Sequence, residues 1–267
     1  MTTPVLREQI AAAEAYEALH VPSLFRQWPP RVLAAVTVGP GDRVLDVACG
    51  TGVLAREARR RLGPSGLVAA IDPDPGMLTV ARRLDPSVAW RQGKAESLPF
   101  RDQEFDAVVS QFGLMYFSDG RRSLREMLRV LAPGGRLAVA VWDSLENSGA
   151  YPIEVDLLDR LAGSQAADAL RAPFVLGARE ELADLFEGAG VGQVNIETHP
   201  GLARFPSIRS LVEADLRGWL PVMGVALEES QIRRILAEAE SALEQYVTSE
   251  GEVVFDAPAH IVTGRRL

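Results

Sequence analysis

The chain has 267 residues, 47% hydrophobic and 24% charged, a globular composition that excludes disordered, collagen-like and coiled-coil classes. Its 28 basic and 36 acidic residues give a net charge of −8, which argues against nucleic-acid and anionic-membrane partners. One cysteine, Cys49, excludes an internal disulfide, and three separated histidines, His20, His199 and His260, show no metal-ligand repeat, so no metal is expected. In chain order, residues 5–36 read as two helices interrupted at Pro22 and reopened by Pro29-Pro30. Arg43 to Ala48 is a short apolar strand, followed by Gly50-Thr51-Gly52 and an amphipathic helix over Val53 to Leu62. A strand over Leu67 to Ile71 stops at Asp72-Pro73, and a helix follows over Pro75 to Leu84. Further strands are expected over Val88 to Arg91, Phe105 to Ser110 and Arg136 to Trp142, with a helix over Arg121 to Leu131. Short apolar strands alternating with helices predict a mostly parallel sheet covered on both faces. The rhythm changes after Trp142: residues 145–176 and 207–249 read as helical, with a helix over Arg179 to Gly188 and a strand over Gly192 to Glu197. Ala259 to Arg265 alternates as a final strand.

No apolar run approaches the ~18 residues of a membrane span, and Met1 to Ala13 lacks the apolar core of a secretory signal, so a soluble cytoplasmic protein is expected. Lys94 is the only lysine. The chain therefore has no lysine-bearing phosphate loop and no Tyr-x-x-x-Lys pair.

The informative stretch is Val44-Leu45-Asp46-Val47-Ala48-Cys49-Gly50-Thr51-Gly52. A strand runs into glycines and then a helix, which brings a ligand against the backbone. Gly50 to Ala55 also fits the dinucleotide pattern G-x-G-x-x-[GA], and Asp72 stands where an acid binds ribose hydroxyls. That pattern alone leaves an NAD-dependent oxidoreductase open. Asp46 discriminates, because a carboxylate just before the glycines repels a pyrophosphate and suits a ligand carrying an ammonium.

Residues 44–52 resemble the nucleotide-loop motif of class I S-adenosylmethionine-dependent methyltransferases of the small-molecule type. The resemblance continues through Ile71-Asp72-Pro73, Gln92 to Phe100, Phe105-Asp106-Ala107-Val108 and Arg129 to Gly135, and covers roughly residues 40–145. It implies a three-layer α/β sandwich: a doubly wound, mostly parallel seven-stranded sheet with an antiparallel last strand. It implies S-adenosyl-L-methionine as cofactor and methyl transfer to a small molecule, and the apolar residues expected in the cap point to an apolar or aromatic one. A cofactor-binding module without transfer activity is the other reading. The implied cofactor set is Asp46, Ala48, Cys49, Gly50, Gly52, Asp72, Pro73, Met77, Lys94, Ala95, Glu96, Gln111, Phe112 and Met115. Within it Asp46 orients the amino group, Gly50 and Gly52 approach the methionine part and ribose, and Asp72 accepts from both ribose hydroxyls. Met77 packs on the adenine and Ala95 offers its N–H. Lys94 departs from the family, which usually has Asp there; an ammonium cannot accept from the adenine amino group, so Glu96 or Ala95 is expected to take over.

Around a core at 39–145, residues 1–38 are expected to form a lid, and 145–176 and 199–250 a helical cap. Tyr16, Phe25 and Trp28 are candidates to close over the cofactor. Phe174, Phe205, Trp219, Leu220, Met223 and Val225 divide between lining an acceptor pocket and packing the cap itself. His20 and His199 are the candidate bases. Cys49 reads as a small residue in a glycine turn and His260 as structural.

Overall fold

The computed structural model describes residues 4–266, so the first three residues of the expected lid lie outside the described residues. The chain opens with α1 (Pro4–His20), a π-helical turn over Val21–Phe25 and α2 (Pro29–Ala35). The core alternates β1 (Arg43–Val47), α3 (Val53–Leu62), β2 (Leu67–Asp72), α4 (Pro75–Leu84), β3 (Ala89–Gln92), β4 (Phe105–Gln111), α5 (Gly120–Val130) and β5 (Leu131–Trp142). Then come α6 (Tyr151–Ala162), α7 (Ser164–Arg171), α8 (Arg179–Gly188), β6 (Gly192–His199) and β7 (Leu202–Phe205). Beyond these lie α9 (Ile208–Glu213), a second π-helical turn over Ala214–Trp219, the single turn α10 (Leu220–Val222), α11 (Glu229–Ala242), β8 (Val253–Asp256) and β9 (Ala259–Arg265).

Local chemistry sets these boundaries. In α3, Leu54, Ala55, Ala58 and Leu62 are buried on one stripe, while Arg59, Arg60 and Arg61 fill its last turn, where cations suit the helix dipole. Asp74 caps α4 by accepting from Met77 N at 2.9 Å, with Pro75 at the first helical position. Asp119 caps α5 in the same way through Arg122 N.

The seven-stranded sheet has the order β3-β2-β1-β4-β5-β9-β6. The first five strands pair in parallel, and β9 runs antiparallel between β5 and β6, as expected. The order reverses between β1 and β4, so the crevice beyond their carboxyl ends is where ligands bind in open α/β sheets. A second, two-stranded sheet of β7 and β8 was not expected: β7 lies inside the region assigned to the helical cap, and β8 lies just beyond it. Its four-residue strands are too short to show a period.

The N-terminal segment is not a separable flap. Trp28, Val32 and Leu33 have no exposed surface, and α2 packs against α3 and β5. Trp28 therefore belongs to the core beneath the site, while Tyr16 and Phe25 remain at its wall.

Candidate cofactor and acceptor site

β1 and β2 end side by side and deliver two carboxyl groups to one cavity. Asp46 is 1% exposed, and neither of its oxygens is within hydrogen-bond geometry of a partner among the described residues. Burial pushes this carboxyl well above the usual carboxylate range, the Ala55 amide offsets part of that, and the nearby Asp72 raises it further. Asp72 is better satisfied: Gly50 N donates to Oδ2 at 2.8 Å and Asp74 N donates to Oδ1 at 2.9 Å. Burial still raises it, to about 6, against the lowering effect of those two amides. Asp72 thus shapes the glycine loop and offers its remaining lone pairs to a ligand.

The loop backbone carries the expected conformations. Gly50 has φ +54, and a Cβ there would point into open space. Gly52 has φ +88, and a Cβ there would stand 2.2 Å from the Trp90 ring. One glycine therefore leaves room for a ligand, and the other leaves room for a tryptophan. Ala48 and Phe112, at the ends of β1 and β4, also hold positive φ, of 58 and 56. For non-glycine residues that conformation costs ~1–2 kcal/mol each. Such strain collects at ligand sites.

The cavity has a volume of about 610 Å³. Its floor is the glycine loop with Asp46 and Asp72, and its flank is Met77 with Gln111, Phe112 and Met115. Its roof comes from Tyr16 and Phe25 on one side and Trp219, Val222 and Met223 of the cap on the other. Phe112 stacks on Trp142 with centroids 3.9 Å apart, and Phe25 packs against both rings. Three aspartates, Asp46, Asp72 and Asp74, line this cavity, with no lysine, arginine or histidine. The field inside favours a cation and opposes a phosphate.

Of the expected cofactor residues, Asp46, Ala48, Cys49, Gly50, Asp72, Pro73, Met77, Gln111, Phe112 and Met115 line the cavity. Gly52, Lys94, Ala95 and Glu96 do not. Lys94 is exposed, and Glu96 is already engaged: Ser118 N and Ser118 Oγ both donate to its Oε1 at 2.8 Å. The expectation that Glu96 replaces the missing aspartate is therefore corrected, because its carboxylate secures the approach to α5 instead. The Cys49 thiol is pushed up by burial and by Asp72 and Asp46, so it stays protonated and is no nucleophile.

The two candidate bases separate. His199 lies at the end of β6, 3.6 Å from Glu197 Oε2, and does not line the cavity, so it is withdrawn as a base. His20 is buried and reaches Asp215 at 3.3 Å. His260 is structural, tied to Thr198 Oγ1 and to the Gly177 carbonyl, each at 2.9 Å. The apolar cap residues divide: Trp219 and Met223 line the cavity, while Phe205 and Leu220 are packed inside the cap. Trp142, Tyr116, Phe117 and Asp215 were missed. Trp142 could have been found as an aromatic at the carboxyl end of a core strand.

A family described as Methyltransferase domain matches residues 45–139. The demethylmenaquinone methyltransferase of Renibacterium salmoninarum is 45% identical over 116 residues, covering 43% of this chain and 47% of that protein. The ubiquinone/menaquinone biosynthesis C-methyltransferase UbiE of Ectopseudomonas mendocina is 45% identical over 122 residues, covering 43% and 48%. The chain thus spans about half the length of the curated relatives it matches. Among solved structures, Haemonchus contortus phosphoethanolamine N-methyltransferase 2 in complex with S-adenosyl-L-methionine has a TM-score of 0.60 at 16% identity. That match covers 96% of this chain and 57% of that one, and it shows the shared fold.

Proposed function

We propose that this chain, whose residues 45–139 form a methyltransferase domain of the class I type, binds S-adenosylmethionine and methylates a small, apolar or aromatic molecule held under the cap. One observation carries the reading: the buried, unpartnered Asp46 carboxyl opens on a cavity lined by acids and aromatics with no basic side chain. A nicotinamide dinucleotide brings two phosphates to that place, whereas S-adenosylmethionine brings an ammonium and a sulfonium. The family match over the glycine loop favours the same choice.

The residues present fit that cofactor. Asp46 meets the ammonium and is returned to its ionised form by it. Asp72 accepts from the ribose hydroxyls while keeping Gly50 and Asp74 in place. Gly50 admits the ligand against the backbone, and Phe112, Phe25 and Trp142 present ring faces to the cationic centre. The cofactor supplies an electrophilic methyl group whose positive charge is lost as the methyl departs. An apolar, water-poor wall suits that change, and holding acceptor and methyl in line is worth up to ~7–11 kcal/mol of barrier.

Among the described residues, no helix is long and apolar enough to cross a membrane. With a net charge of −8, the acceptor proposed is a free small molecule rather than a nucleic acid, and the proposed location is the cytoplasm. The test is calorimetry with S-adenosylhomocysteine and with NADH, followed by detection of S-adenosylhomocysteine release across a panel of aromatic metabolites. Binding of NADH in place of S-adenosylhomocysteine overturns the cofactor assignment. Tight binding with no turnover on any acceptor favours the non-catalytic module.

A further inference from the structure

Beside the main cavity lies a small recess of about 40 Å³, and Phe25, Tyr116, Trp142 and Trp219 line both. The far end of the recess holds His20 and Asp215, 4% and 2% exposed. His20 Nε2 stands 3.3 Å from Asp215 Oδ1, a contact that in the neutral ring places the proton on Nε2 and leaves the lone pair on Nδ1. Nδ1 is buried without a partner among the described residues. A Cβ on Gly218 would come 3.2 Å from Cε1 and 3.8 Å from Nδ1, so the glycine permits its close approach to the ring. Tyr16 stacks on the imidazole from the other side, 5.6 Å between centroids, and holds its plane.

Behind Asp215 lies Glu154, which has no exposed surface. Burial, the neighbouring Asp215 carboxyl and a side-chain hydrogen bond with it push the Glu154 carboxyl well above the usual range, so Glu154 is held neutral with its proton toward Asp215. A buried acceptor left unsatisfied costs ~1–3 kcal/mol. Nδ1 therefore faces a strong demand for a donor, and the donor must fit a space of only a few heavy atoms. A carboxylate or phosphate is excluded, because it donates nothing and would meet the Asp215 charge. A neutral hydroxyl fits, and the shared aromatic walls suit a flat ring carrying it.

We propose that this recess is a hydroxyl-recognition subsite of the acceptor pocket, in which His20 Nδ1 accepts a hydrogen bond from a phenol-type hydroxyl and Asp215 fixes the His20 tautomer. It rests on the methyl-transfer reading for the identity of the neighbouring ligand. The matched relatives align with the cofactor half, so their names say nothing of these residues.

The test compares 2-naphthol with 2-methylnaphthalene, the same ring bearing hydroxyl or methyl, on the full chain saturated with S-adenosylhomocysteine. The wild type is expected to bind 2-naphthol about tenfold more tightly, the worth of one buried hydrogen bond. Two variants then separate recognition from structure. His20→Gln places an amide nitrogen near Nε2, keeping the tie to Asp215 while removing the Nδ1 acceptor; the preference should vanish with thermal stability retained. His20→Asn places an amide oxygen near Nδ1 and should restore part of the preference. Equal affinities in the wild type, or no binding of 2-naphthol by protein that binds S-adenosylhomocysteine, overturns the subsite. So does a preference that survives His20→Gln. If the wild type does not bind S-adenosylhomocysteine at all, the methyl-transfer reading fails; the 2-naphthol comparison, repeated without it, still judges the recess.

Discussion

The floor of the cavity and its cap hold their buried carboxyl groups by different means. On the floor, Asp72 is held by two backbone amides, and the glycine loop is built around it. In the cap, Glu154 and Asp215 are buried against one another, and the raised carboxyl of Glu154 is the donor of that pair. Each region still keeps one group without a partner among the described residues, Asp46 on the floor and His20 Nδ1 in the cap. The difference teaches where generic and particular recognition lie. Backbone geometry at strand ends binds what all members of a fold share, and side chains hung on a variable cap select what one member takes.

Four measurements break or sharpen that contrast. The largest effect is expected from Gly50→Val, which places a branched side chain in the ligand's space at positive φ. Binding of S-adenosylhomocysteine should fall below detection while circular dichroism stays native; normal binding would remove the loop from the site. Next, Asp72→Ala loses two charge-assisted bonds of ~1.5–3 kcal/mol each, so affinity should drop at least a hundredfold by calorimetry. Titration offers a companion test. Asp72, raised to about 6 by burial, must be ionised to serve the ribose, so affinity should weaken as pH is lowered through about 6. For one proton the slope is at most about tenfold per pH unit, and Asp72→Asn should flatten it. The same raised value means that its contribution to the unliganded fold is fullest below the usual carboxylate range and is lost as pH rises through about 6.

In the cap the readout is stability rather than affinity. Glu154→Met removes the donor that faces Asp215 and strands that buried carboxyl, so the unliganded protein should lose ~1–3 kcal/mol and melt several degrees lower. An unchanged or higher melting temperature would show that the two carboxyl groups do not depend on one another. The smallest effect belongs to Lys94→Asp. Lys94 is exposed and outside the cavity wall, so affinity for S-adenosylhomocysteine should change by less than about threefold, below the ~1 kcal/mol of an exposed pair. A tenfold change in either direction would bring this loop back into the cofactor site.

The core was legible because its physics is local. Buried parallel strands read as continuous apolar runs, glycines mark the turn, and Asp46 and Asp72 stand at strand ends in the sequence itself. The cap was legible only in outline. β7 and β8 are four residues each and pair across 47 intervening positions, so no local period announces them. Asp215 and Glu154 read as ordinary helix acids until tertiary packing turns both inward. His20 was recognisable as a candidate base, but its partner lies 195 residues away. Glu96 was misread because its partner, Ser118, comes from a segment with no motif.

The attachment of α1 to the glycine loop has a thermodynamic corollary. Thr51 Oγ1 donates to Glu17 Oε2 at 2.5 Å, and Arg56 Nη2 donates to Glu17 Oε1 at 2.7 Å. Gly76 lets Gln9 approach closely, since a Cβ there would lie 2.5 Å from the Gln9 backbone. Helix and loop therefore form one coupled element, and linkage makes any effect between them reciprocal. If a bound ligand tightens the loop and so slows hydrogen exchange in α1, then loosening α1 by Glu17→Ala must weaken the ligand by the same factor. The amino-terminal helix is in that sense an allosteric handle on the cofactor, although Glu17 and Gln9 are not among the residues that line the cavity.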